Sequence, residues 1–125
     1  MSQPPTVPRH PQTCYLVTCT DGPKAAALRV EHLDGHLAHV EAYWERYLTA
    51  GPMREPGGTD LVGSVFLVFG DTLDEVKALM EGDPYITCGM YDRVEYKELT
   101  LSVGQFIGGK IWESADAIRH RATGG

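Results

Sequence analysis

The spacing at which apolar residues recur changes repeatedly along this chain, and the order of the changes leaves few folds open. "CYLVTCT" at 14–20 is rich in β-formers and ends at the turn signal Asp21-Gly22-Pro23, so it reads as a strand. From 24 to 48 the step becomes three and four. Val30, Leu33, Leu37, Val40, Trp44 and Tyr47 then form the apolar stripe of a helix that lies on a sheet. "LTAGPMR" at 48–54 is a short strand, 55–60 a flexible turn, and "LVGSVFLVFG" at 61–70 an almost wholly apolar strand. "DTLDEVKALMEGDP" opens with a capping box, Thr72 to Glu75, and stops at Gly82 with Pro84 beyond. "YDRVEYKELTL" at 91–101 alternates as a half-exposed strand does. The order βαββαβ predicts an α+β fold of the ferredoxin-like, split βαβ kind.

The sequence of 125 residues suffices for one hydrophobic core and not for two. That core is expected from 14 to 101. Prolines at 4, 5, 8 and 11 make residues 1–13 an extended arm whose order must come from docking. Residues 102–125 form an extension with a glycine-rich turn and a short amphipathic helix carrying Ile111, Ala115 and Ile118. Acidic residues outnumber basic ones 17 to 11, which disfavours a groove for nucleic-acid phosphates. No run has the apolar length of a membrane span, and the first residues lack the apolar stretch of a secretory signal. Cys14, Cys19 and Cys88 form no C-x-x-C, and the first two, five apart on a strand, point to opposite faces. Reduced thiols and a cytoplasmic location are expected.

"RVEHLDGHLAHV" at 29–40 places His32, His36 and His39 within eight residues. Arg29, His32, His36, His39, Tyr43 and Arg46 make a second stripe, rotated about 100° from the apolar one. Gly35 weakens the helix and Asp34 is a good N-cap, so a break is expected there, with His36 in the first turn of the main helix. Connectivity then nominates a partner. The start of the first helix and the end of the second share one end of the sheet, which brings His36 near Asp83. Gly82 ends the second helix, Pro84 forces Asp83 out of the α region, and Tyr85 offers a hydroxyl nearby. A carboxylate held this way sets the tautomer of an imidazole and leaves its other nitrogen as a general base or acid. The plainer reading is a helix stop and nothing more.

With these residues in view, the chain resembles the YCII-related (YciI-like) family from about Tyr15 to Leu99, with both tails unmatched. The resemblance rests on Arg29, on His36-Leu37-Ala38, on "LTAGP" at 48–52 and on Gly63-Ser64. "GDPYITCGMYDRVEYK" at 82–97 completes it. It implies a ferredoxin-like fold that dimerises into an α+β barrel, with a site centred on a histidine and an aspartate, here His36 and Asp83. Some relatives resemble enzymes that remove a proton and a halide from chlorinated rings, or that isomerise lactones. This chain departs from the family at Leu33, where many members carry an arginine.

A metal site is the rival reading of the histidines, since His32 and His36 are an i, i+4 pair. No Glu-x-x-His or H-E-x-x-H pattern accompanies them, and no metal or other cofactor is expected. Arg29, Tyr15, Gly51, Pro52, Ser64 and Tyr85 are the candidate substrate contacts, with Tyr91 as a further wall residue. Gly51-Pro52 reads equally as an edge-strand bulge. Ser64 has no evident base beside it and is not expected to be a nucleophile. Trp44 and Tyr47 read as core. Two functions fit: a cofactor-free lyase (dehydrochlorinase-like) or isomerase acting on a small apolar ring or lactone, or a non-catalytic binding or accessory dimer. One sheet face has no helix to cover it, which predicts a homodimer.

Overall fold

The computed structural model describes residues 3–122, with side chains to residue 120, so the ends of the arm and of the extension (1–2 and 123–125) lie outside the described residues. Two compact units separate by contact: Gln12–Leu99, and the two tails together.

The larger unit is a four-stranded sheet with helices on one face. Its strands are β1 (Thr13–Asp21), β2 (Tyr47–Arg54), β3 (Leu61–Gly70) and β4 (Tyr91–Leu99), in the order β2-β3-β1-β4, and all neighbours are antiparallel. Between β1 and β2 come α1 (Ala25–Glu31), α2 (Leu33–Ala42) and a 3-10 turn at Trp44–Arg46. Between β3 and β4 come α3 (Leu73–Glu81) and α4 (Pro84–Thr87). This is the ferredoxin-like α+β arrangement. Register explains the division of the sheet into faces. Val17 pairs with Phe66 and Tyr96, and Tyr15 with Val68. These side chains meet Val76, Leu79 and Met80 of α3 in the main core. The alternate residues Leu16, Thr18, Val65 and Leu67 point the other way and remain half-buried. Cys14 and Cys19 are both buried, free, and on opposite faces, as their odd spacing requires.

The capping box forms. The Thr72 hydroxyl accepts from Glu75 N, and Glu75 accepts from Asp71 N one residue earlier than the ideal pattern. At Gly63 a methyl group would be driven into the Cys19 carbonyl oxygen, so only glycine lets β1 and β3 approach there.

Two expectations for the first helix need correction. The break falls at His32, between α1 and α2, and Asp34 lies inside the first turn of α2 and does not cap it. The apolar stripe is not buried either: Val30 is 78% exposed, Trp44 68%, Leu33 43% and Leu37 42%. The polar stripe faces inward in its place, because Arg29 and His36 have carboxylate partners there. Those two anchors lie on either side of the break.

In the smaller unit the proline-rich arm lies along β6 (Gly109–Lys110), which pairs with β5 (Val103–Gly104) as a short hairpin. Val7 N donates to Lys110 O at 2.7 Å, and Lys110 N to Pro5 O at 2.9 Å. The terminal helix α5 spans Ala115–Ala122. Ile111, expected on that helix, precedes it and donates from its backbone to Ser102 O.

Candidate functional site

The site assembles at the end of the sheet where β1 and β2 finish and β3 and β4 begin. Asp83 is wholly buried and caps α4: its Oδ1 accepts from Tyr85 N at 3.0 Å, and Pro84 takes the first helical position. The Asp-Pro pair that read as a stop signal is thus also a start signal. From α2, His36 Nδ1 stands 2.8 Å from Asp83 Oδ2 and 3.0 Å from Oδ1. A carboxylate only accepts, so Nδ1 carries the proton and donates. Nε2 is left with its lone pair and no protein partner among the described residues.

Neighbouring rings fix the imidazole plane. Tyr85 stacks on it with centroids 3.8 Å apart and planes 5° from parallel, and Phe66 meets it edge-on at 6.4 Å. Gly35 makes the approach possible: a Cβ there would stand 3.0 Å from Pro84 Cγ, so the residue that weakens the helix lets α2 settle against α4. The Tyr85 hydroxyl donates to Arg29 O at 2.7 Å and ties α4 to α1.

Arg29 forms a bidentate pair with Asp21 at 2.8 and 3.0 Å, and its Nη2 reaches Ser64 Oγ at 3.3 Å. The hydrogen bonds that the guanidinium donates to Asp21 raise its already high pKa. Ser64, 5% exposed, also lies 2.8 Å from the Tyr91 hydroxyl.

A cleft of about 1130 Å³ opens over these groups, lined by His36, Arg29, Ser64, Gly51, Pro52 and Tyr85 together with most of the displaced apolar stripe. Its walls are largely apolar, with a few polar groups converging on it, as ligand pockets usually are. Gly51 and Pro52 belong to the edge strand β2 and line the cleft, but they pair in regular register with Val65 and Ser64. The slips in the β2–β3 pairing fall at 47–49 and 53–54, so the bulge expected at Gly51-Pro52 is not found there.

Tyr15 is the candidate that the structure places elsewhere. It lies near the start of β1, paired with Val68 and Glu98, 5% exposed in the core and not on the cleft wall. The direction of β1 puts that end away from the site. Trp44, expected in the core, lies exposed on the cleft wall, whereas Tyr47 packs against the main core as expected and lines the cleft as well. The Tyr47 hydroxyl is buried with no hydrogen-bond partner among the described residues. Burial pushes it up to about 12, and the negative charge of Asp83 adds to the effect.

The three histidines diverge. His32 sits 3.9 Å from Glu31, and His39 packs against Tyr43 and the end of α3 at Gly82. Among the described residues no three His, Cys, Asp or Glu side chains gather as metal ligands. No helix among them is long and apolar enough to cross a membrane.

The model of the YCII-related domain matches residues 13–100. The chain belongs to this family. Among curated members, protein YciI of Escherichia coli and protein YciI of Shigella flexneri are each 29% identical over 90 residues, covering 66% of this chain and 92% of theirs. A solved structure, the 5-chloro-2-hydroxyhydroquinone dehydrochlorinase of Burkholderia phenoliruptrix in complex with 2,5-dihydroxybenzoquinone, superposes with a TM-score of 0.63 at 25% identity. The match covers 73% of this YCII-related chain and 95% of that one.

Alkaline stability follows from the buried groups of this site. Burial pushes the Tyr91 hydroxyl and the Cys19 thiol, like Tyr47, up to about 12, from ordinary values of 10.0 for tyrosine and 9.0 for cysteine. The unfolded chain therefore releases these protons at lower pH than the fold does. Their contribution is complete below about pH 9 and declines as pH rises toward about 12. Urea midpoints should fall across that window, and less steeply in Tyr91→Phe; a flat midpoint would contradict the assignment.

Proposed function

We propose that this protein is a cofactor-free enzyme that moves a proton on a small, largely apolar ring substrate, with elimination of hydrogen halide as the first reaction to test and isomerisation of a lactone as the second. One observation carries the reading: the bond from His36 Nδ1 to the buried Asp83 leaves Nε2 as a lone-pair base on the wall of an apolar cleft. Asp83 orients the ring and stabilises the imidazolium that forms. Ring stacking on Tyr85 holds its plane.

The substrate in the name of the neighbouring dehydrochlorinase shows how the balance would run. One hydroxyl proton of a chlorinated hydroxyhydroquinone shifts to the chlorine-bearing carbon, and His36 takes a second. Chloride leaves with the C–Cl electron pair. HCl is lost, the ring becomes a hydroxyquinone, and no outside oxidant is needed.

We further infer a homodimer in the cytoplasm, joined through the sheet face that carries Leu16, Val65 and Leu67, whose apolar side chains the helices do not cover. A monomer by light scattering at micromolar concentration would refute the pairing.

Chloride release from 5-chloro-2-hydroxyhydroquinone tests the chemistry. His36→Ala should lower kcat by about 10²–10⁴-fold while circular dichroism stays native. Asp83→Asn should lower it by about 10²-fold or more, since an amide can donate to Nδ1 and reverse the tautomer. Full turnover by His36→Ala would remove His36 as the base. A change in affinity alone would favour the binding or accessory reading.

A further inference from the structure

The hydrogen bonds around Ser64 leave one proton unassigned. A serine hydroxyl has one proton to give and two lone pairs to share. Arg29 Nη2 can only donate, and it takes one lone pair at 3.3 Å. The Tyr91 hydroxyl lies at 2.8 Å. A phenol is a stronger donor and a weaker acceptor than an aliphatic alcohol, because its ring withdraws lone-pair density from the oxygen. Tyr91 therefore donates as well, and burial, which holds it protonated up to about 12, keeps that proton in place. Both lone pairs of Ser64 are then filled. Its own proton has no protein acceptor among the described residues, although the side chain is 5% exposed and lies on the cleft wall. A buried donor without an acceptor is unfavourable, and a ligand oxygen would relieve it.

The charges of the cleft narrow the choice of ligand. Among the described residues Arg29 is the one arginine or lysine on its wall, and Asp21 already neutralises it in a two-point ion pair. The remaining carboxylates there are Glu41 and Asp60, for which no ion pair is found among the described residues, and Leu33 contributes only an apolar surface. A carboxylate or phosphate would meet like charge and find no unpaired lysine or arginine. A carbonyl or hydroxyl oxygen needs only a donor.

We propose that Ser64, set by Tyr91 and Arg29, donates its hydroxyl proton to a carbonyl or hydroxyl oxygen of an uncharged ring ligand, and that the cleft rejects carboxylates. The inference rests on the reading of the cleft as a ring-binding site, and not on His36 as a base. Ser64 touches the ligand; Tyr91 is a positioning residue that acts through it. When a ring hydroxyl loses its proton, negative charge develops on a ligand oxygen, and a preset donor at that oxygen stabilises it.

Three probes of one ring size separate the contributions: acetophenone, whose oxygen only accepts, toluene, which has none, and benzoate. Dissociation constants by titration calorimetry should rank acetophenone tightest and benzoate at least about tenfold weaker. Ser64→Ala should weaken acetophenone by about tenfold and leave toluene unchanged, and Tyr91→Phe should do the same by a smaller factor. A loss of both probes in parallel would show mere structural damage. That outcome overturns the proposal, as would an unchanged acetophenone affinity in Ser64→Ala, benzoate binding as well as acetophenone, or no acetophenone binding by the native protein. His36→Ala should keep the preference for acetophenone. Retained turnover in that variant would sink the base assignment and leave this one standing.

Discussion

A carboxylate with no access to water must find donors, and Asp83 finds them in a way that shapes the whole end of the molecule. Leaving a buried charge unpaired costs about 3–5 kcal/mol. Asp83 meets that demand with the Tyr85 backbone N–H and the His36 imidazole. The first bond starts α4, and the second pins α2 to it. Tyr85, placed by the first bond, then covers the His36 ring and reaches back to the Arg29 carbonyl. One buried acceptor thereby joins three helices, and the same contacts that satisfy it orient a potential base.

The orientation of the first helical segment follows from this and from the Arg29–Asp21 pair. A helix on a sheet ordinarily turns its apolar stripe inward. Here two polar side chains find carboxylates on the inner side, and the apolar stripe rotates out to form a wall of the cleft. The arrangement exposes large apolar side chains such as Trp44, a poor outcome for stability alone and a useful one for a pocket that must receive a ring.

The strand and helix order was legible in the sequence because each element carries its own period or cap: the alternation of 91–99, the Thr72 capping box, the turn at Asp21-Gly22-Pro23. The meeting of His36 with Asp83 was legible from connectivity, since a split βαβ topology brings those two chain positions to one rim. The facing of the helix was not. It depends on Asp21, Ser64 and Asp83, which lie 8, 35 and 47 residues from their partners, and local periodicity carries no information about such pairs. Tyr15 was misplaced for a simpler reason: strand direction puts it at the far end of β1. Trp44 looked like core because an aromatic residue at helical spacing usually is, whereas the rotated stripe leaves it exposed on the cleft wall. The role of Gly35 also needed coordinates, because its nearest neighbour, Pro84, is remote in sequence.

The central claim concerns where one proton sits. Nitrogen-15 NMR of the His36 ring in its neutral form measures this directly. The account predicts a proton on Nδ1 and a bare Nε2 in the native protein, with the pattern reversed or averaged in Asp83→Asn. A neutral ring protonated on Nε2, and indifferent to the loss of the Asp83 carboxylate, would contradict it.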